Sequence, residues 1–290
     1  MLLDHAFRLR AGRGQPGEVK LFRDLQNALK SLNGRFEIDE YHGGAHQVRF
    51  TGNGAHARMT ARCELSDLVI LAYTKSPAQA RLTYLQAKFE RRTLLNPCCD
   101  RFTANLEQWY LLAKRPQLIA GSATFIPPPD LLSSAILPSV GSFGFFYYDR
   151  SKTVQFFYAS ASFLRPLGST RYGKLAGIHP CQSSTVRGYA ECQAACNMVD
   201  FGSSLFSLEI GTPVHPVAHG SASVRNWLAS NLRTLPQSSL VTDLLDVLAS
   251  DAAPQADSGR RFGAKSLILL KGDAAANGPE STGSPLATNT

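Results

Sequence analysis

The chain has 290 residues, 44% of them apolar and 18% charged, and 30 Lys and Arg against 22 Asp and Glu give it a net charge of +8. This length allows one large domain or two ordinary ones, and this apolar share excludes global disorder. No apolar run reaches the roughly 18–20 residues of a membrane span, and a basic excess favours polyanionic partners through phosphate contacts. The opening, MLLDHAFRLRAGRG, has too short an apolar core and too early an acid, Asp4, for a secretory signal, so a cytoplasmic protein is expected. Six cysteines, at 63, 98, 99, 181, 192 and 196, are too few for a disulfide scaffold and are expected as reduced thiols.

Residues 1–16, with Arg8, Arg10 and Arg13, read as a mobile basic arm or one that contacts phosphate. Apolar residues at 21, 22, 25, 29 and 32 have helical spacing, opened by Pro16-Gly17 and closed by Asn33-Gly34. Segments 36–40, 47–51 and 58–64 read as short strands between Gly-rich turns. His42, His46 and His56 lie in or near those turns, lack a zinc spacing, and read as exposed polar residues.

Residues 68–73 form a continuous apolar run of buried-strand length. Segment 74–80 carries Lys, Ser and Pro and reads as a loop, and 82–89 reads as a second strand. With a period of two, Gln86 and Lys88 share one face while Leu85, Ala87 and Phe89 share the other. A hairpin symmetric about Pro77 sets Asp67 opposite Ala87. A one-residue shift of register sets it opposite Gln86 or Lys88, at about 5 Å between Cβ atoms directly or about 7–8 Å diagonally. A functional grouping of these residues requires that shift.

Further on, 105–114 (NLEQWYLLAK) reads as a helix with Leu106, Trp109, Tyr110 and Ala113 on one face, covering the sheet. Ile126-Pro127-Pro128-Pro129 is a stiff break and the expected division of the chain. Segments 143–148 and 154–163 are aromatic, strand-like and expected in the core, with a turn at 149–152. Segment 184–208 reads as helical in part, and 220–232 and 240–248 as two short helices. Residues 271–290 lack aromatics and are expected to be disordered.

Asp67 at the mouth of an apolar strand, with Gln86-Ala87-Lys88 on the next, resembles the PD-(D/E)xK restriction-endonuclease-like nucleases, in the variant where Gln replaces the first acid of (D/E)xK. The resemblance covers 17–92. Glu18-Val19-Lys20 also fits E-x-K, but in a helical pattern with no strand before it. The resemblance implies an α/β fold, with a restriction-endonuclease-like core over 1–125: a mixed sheet flanked by helices. A C-terminal α+β region over 126–270 would elaborate that core or hold substrate.

The implied chemistry is Mg²⁺- or Mn²⁺-dependent hydrolysis of phosphodiester bonds, of DNA ahead of RNA, in restriction, repair or mobile-element defence. Asp67, the Gln86 oxygen and the Ala87 carbonyl would hold the cation. Lys88 would orient or help deprotonate the attacking water and stabilise phosphate charge. Gln for an acid removes one negative charge. Glu18, which matches the family's glutamate on an N-terminal helix, or Glu64 would restore it. Glu64 is three residues from Asp67 and faces the other way in a regular strand, so its participation needs a bulge. Arg91 and Arg92 read either as a grip on the scissile strand or as a solvated strand end. Double-strand cutting would imply a homodimer, and no membrane partner is expected.

Other constellations are weaker. Gly168 to Lys174 nearly completes G-x-x-x-x-G-K-[ST], but Leu175 stands where Ser or Thr should be. His179, Cys181, Cys192 and Cys196 lack paired zinc-ligand spacing, and no cysteine sits in a known Cys–His hydrolase motif. His215 and His219 read as loop residues. The alternatives to a nuclease are a non-catalytic nucleic-acid-binding protein with a degenerate nuclease fold, and a protein-interaction module.

Overall fold

The structure is a computed structural model that describes residues 2–11, 16–31, 36–40, 47–97, 99–122, 125–169, 171–177, 182–216, 222–249, 262 and 264–272. In chain order its elements begin α1 (Leu2–Ala11), α2 (Glu18–Lys30), β1 (Phe36–Glu40), β2 (Gln47–Phe50), β3 (Ala61–Glu64), β4 (Ser66–Lys75), β5 (Ala78–Thr93), β6 (Arg101–Asn105), α3 (Leu106–Lys114) and β7 (Ile119–Ala120). They continue β8 (Gly141–Tyr148), β9 (Val154–Ser160), β10 (Leu164–Leu167), β11 (Tyr172–Gly177), β12 (Ser183–Val186), β13 (Tyr189–Cys192), β14 (Ala194–Ala195), α4 (Met198–Phe206), β15 (Thr212–Pro213), α5 (Ala222–Leu232), α6 (Ser239–Leu248) and β16 (Ala264–Lys271).

Every position of β4 from Ser66 to Thr74 is buried, as an unbroken apolar strand requires when both faces of its sheet are covered. The main sheet runs β1-β16-β4-β5-β8-β9-β14, with β15 added alongside β5. β16 is parallel to β4 and β8 is parallel to β5, while the other pairs are antiparallel. The fold is therefore mixed α/β. Alternation sorts the strand residues onto two cores. Leu68, Ile70, Ala72, Leu85 and Ala87 pack with α1, α2 and α4. Val69, Leu71, Tyr73, Leu82 and Tyr84 pack with α3, α5 and α6.

Two smaller sheets attach to this frame: β3-β2-β7 and β10-β11-β6, with β12-β13 a separate hairpin. α3 is fixed at both ends. The Asn105 side chain accepts from Glu107 N, and Arg115 closes the helix at φ 52. Gly141 lets α3 come close to β8, because a Cβ there would lie 2.6 Å from the Leu112 carbonyl oxygen.

Several expectations change. Residues 2–11 form a helix, not an arm: Leu3 and Phe7 are buried, and the Phe7 ring stacks on Phe146 at 5.6 Å. The loop expected over 74–80 is only the two-residue turn Ser76-Pro77, flanked by the Lys75↔Ala78 pair. Segment 184–208 is helical in part, as expected, in α4, while its first half forms β12, β13 and β14. The Pro-rich break does not separate two sheets, since β8, β9 and β16 from beyond it share the main sheet with β4 and β5. β16, between β1 and β4, has no counterpart in the sequence reading. Cys63, Cys99 and Cys192 are free thiols, but Cys196 is disulfide-bonded, which corrects the expectation of reduced thiols. The tail expected disordered from 271 falls outside the described residues beyond Gly272, as do His42, His46, His179, Cys181 and His219.

One buried carboxylate ties together the segments that lead into β3 and β11. Glu107, fully buried, takes Arg58 Nε at 2.7 Å and Arg171 Nε at 3.2 Å. Burial acts to raise the Glu107 carboxyl, but hydrogen bonds from Arg58 and the charge of Arg171 outweigh it and hold the carboxyl below the usual range. A lowered folded value stabilises the protein above the unfolded carboxylate range, and that contribution is lost as pH falls through the folded value. Glu107→Gln is therefore expected to flatten the acid limb of a stability–pH curve below about pH 4.5. Denaturant midpoints measured from pH 3 to 7 check this, and parallel curves for the two proteins would contradict it.

Candidate functional site

The hairpin register runs from Leu68↔Leu85 to Lys75↔Ala78. Continued by one residue it sets Asp67 opposite Gln86, the shift that the grouping required. The ladder ends at Leu68, and the Asp67 side chain takes over its work. Asp67 Oδ2 accepts from Ala87 N at 3.0 Å and from the Gln86 side-chain amide. Gln86 Oε1 in turn accepts from Gln108 Nε2 of α3 at 2.9 Å. All three side chains are buried, at 6%, 1% and 7% exposure for Asp67, Gln86 and Gln108, so a polar relay runs from the sheet into the helix above it.

Glu18 arrives from the opposite face as the first residue of α2. Its Oε2 accepts from Phe89 N at 3.3 Å, and its Oε1 lies 3.6 Å from Lys88 Nζ. Ala87 and Phe89 are two residues apart, so the two carboxylates take successive amides about 6–7 Å apart on one edge of β5. In an extended strand a residue's N–H and C=O project to the same edge, which directs the Ala87 carbonyl between the two carboxylates. Lys88, with 19% of its side chain exposed, stands at the opening while Glu18 is 46% exposed. The donor set is carboxylate, carboxamide and carbonyl oxygen, which suits a hard divalent cation such as Mg²⁺.

Two placements differ from expectation. The Gln86 oxygen faces Gln108, and its NH₂ faces Asp67. A half-turn of the amide exchanges the two, and Gln108 can accept as well as donate. Glu64 lies on β3 opposite Gln47, outside the main sheet, and the chain bends at Leu65 before β4 begins. Among the described residues no three His, Cys, Asp or Glu side chains form a metal-holding group, so Glu64 does not complete one with Glu18 and Asp67.

Arg91 and Arg92 are both exposed and lie where the β5–β8 register shifts between Glu90 and Thr93. Arg92 donates to Glu90 Oε1 at 3.0 Å and to the Arg101 carbonyl at 2.7 Å, and so leads from β5 onto β6.

Gln108 escaped the sequence reading. The buried side of α3 is Leu106, Glu107, Gln108, Trp109, Leu111 and Leu112, with Tyr110 and Ala113 only partly buried. Leu111 and Leu112, at i+3 and i+4, were the available signal that Gln108 faces inward. Gln108→Leu removes the donor to Gln86 Oε1. It is expected to cost about 1–3 kcal/mol for the unpaired buried oxygen and to lower any metal-dependent activity about 10- to 100-fold. Denaturant melts and rate measurements on the same preparation check both.

The competing constellations lose ground. Gly168 to Lys174 spans the β10–β11 connection, not a strand-to-helix loop. Burial pushes the Cys192 thiol up to about 11 and the Cys63 thiol up to about 12, which makes both poor nucleophiles. His215 is buried, with Ala80 N donating to its Nδ1 at 3.3 Å. Trp109 belongs to the core, its Nε1 donating to the Ala161 and Leu164 carbonyls. His56 is half-buried against the Trp109 ring. No helix among the described residues is long and apolar enough to cross a membrane. Comparison of the chain with protein-family models, curated proteins and solved structures finds no match.

Proposed function

We propose that the chain is a metal-dependent nuclease that hydrolyses phosphodiester bonds of DNA, built on a restriction-endonuclease-like core of α2, β4, β5, α3 and β8. The observation that carries this reading is the Asp67 carboxylate bonded to Gln86 and to Ala87 N at the open end of the β4–β5 hairpin, with Glu18 beside Lys88 on the same strand. The core assignment rests on the parallel β5–β8 pair joined through α3.

In this reading Asp67, Glu18, the Gln86 carboxamide and the Ala87 carbonyl hold Mg²⁺ or Mn²⁺. The bound cation supplies Lewis-acid polarisation of the phosphate and a more acidic water. The Lys88 ammonium orients that water and offsets charge on the phosphate oxygens. Ala87 N and the Gln86 amide fix the Asp67 carboxylate, and burial keeps bulk water from competing for it. The test is incubation of plasmid and single-stranded DNA with Mg²⁺ or Mn²⁺, against EDTA. Metal-dependent cleavage supports the reading. Salt-sensitive DNA binding without cleavage would support a non-catalytic nucleic-acid-binding protein, which the satisfied Gln86–Gln108 bond also accommodates.

A further inference from the structure

The face of β5 that carries Gln86 and Lys88 continues through Glu90 onto β10-β11-β6. Glu90 accepts from Thr103 N and Thr103 Oγ1 at 3.2 Å, and Lys174 Nζ lies 3.5 Å from it. On the small sheet Phe102, Ala104, Leu164 and Leu175 point inward and are buried. Alternation then turns Arg101, Thr103, Arg165, Tyr172 and Lys174 outward. Register sets these into rows: Arg165 and Arg101 flank Ala176, and Lys174 stands opposite Thr103, two pairs further along on the same face. The two arginines are two strand spacings apart, about 10 Å.

The charges on this face are layered. The carboxylates lie underneath, with Glu107 fully buried and Glu90 at 8% side-chain exposure. Their cationic partners stand on top, Arg58 at 57%, Arg92 at 56%, Arg171 at 44% and Lys174 at 41%. Asp100 lies close by, beside Arg92. With Arg101 and Arg165, both exposed, the described residues named here bring six cations against three carboxylates. Tyr172 is 66% exposed, and the Arg171 guanidinium lies 5.5 Å from its ring centroid. A large aromatic ring left this open beside cations matches the stacking platforms that bind unpaired bases.

We infer that the outer face of β10-β11-β6 binds a single-stranded stretch of the DNA that leaves the cleavage site. Arg101, Lys174 and Arg165 take its phosphates, and Tyr172 with Arg171 stacks one unpaired base. The inference rests on the nuclease reading for the identity of the strand. It makes the preferred substrate one with an unpaired segment beside the scissile bond.

The test is fluorescence-anisotropy titration of a labelled single-stranded oligonucleotide with the full-length chain in EDTA, where no cleavage occurs, over a range of salt. The Arg101→Gln/Arg165→Gln/Lys174→Gln protein is expected to bind at least about tenfold more weakly, with a salt slope shallower by about two. Tyr172→Ala, which removes no charge, is expected to bind about 5- to 150-fold more weakly. If either protein binds within twofold of the parent, the inference is overturned. Because binding is read without cleavage, the outcomes separate. A parent that cleaves DNA but whose surface variants bind normally leaves the nuclease reading standing without this surface. Surface variants that lose binding in a protein that never cleaves would retain the surface and remove the nuclease.

Discussion

Lys88→Ala is expected to lower Mg²⁺-dependent DNA cleavage by about 10³-fold while leaving the fold intact. The size follows from losing a group that both handles the attacking water and faces developing phosphate charge, contributions that each run to about 10²–10⁴-fold. The folded state should barely register the change. The Lys88–Glu18 pair is long, at 3.6 Å, and Glu18 is 46% exposed. Such pairs contribute about 0–1 kcal/mol, and for a chain of this size a loss of 1 kcal/mol moves the melting midpoint by about 2–4 °C. Cleavage at the parent rate would remove Lys88 from the chemistry. A melting midpoint lowered by tens of degrees would make it structural.

Phe102→Ala is expected to cost about 3–5 kcal/mol, the usual range for deleting a buried phenyl ring. Phe102 is fully buried. Its ring stacks at 4.1 Å on Phe145 of β8 and at 5.4 Å on Phe157 of β9, so it is the bolt between the small sheet and the main one. Loss on this scale is a large part of a typical domain's 5–15 kcal/mol. A lower denaturant midpoint at unchanged m-value would show it, and a shift worth less than about 1 kcal/mol would contradict the packing described.

The candidate site was more legible than the frame that presents it. Asp67, Gln86 and Lys88 were readable because a period of two assigns faces from sequence alone. Their mutual register was not, because it depends on how many residues the turn uses, and Ser76-Pro77 uses two where the composition of 74–80 suggested more. Glu18 was readable as the opening residue of a helix, but its carboxylate on Phe89 N depends on how α2 crosses the sheet. β16 lies parallel to β4 although about two thirds of the chain separates them, and no local pattern reports so distant a partner. The helix at 2–11 was hidden by Arg8 and Arg10, although Leu3, Phe7 and Ala11 repeat at a four-residue spacing and are all buried. In 184–208 the helical part is α4, but the strands before it were not legible, because they depend on Arg187-Gly188, both at positive φ, forming a hairpin turn. Gln108 stayed unseen because a polar residue inside a helix reads as solvated unless its partner is known.

The central claim is that Asp67 anchors a divalent cation whose presence the cleavage chemistry requires. Its most direct test is the rate of DNA cleavage as a function of Mn²⁺ concentration for the parent and for Asp67→Asn, which keeps the shape and loses the charge. The account predicts a saturable metal dependence for the parent and no cleavage by Asp67→Asn at any concentration. Equal rates for the two proteins, or cleavage that persists in EDTA, would contradict it.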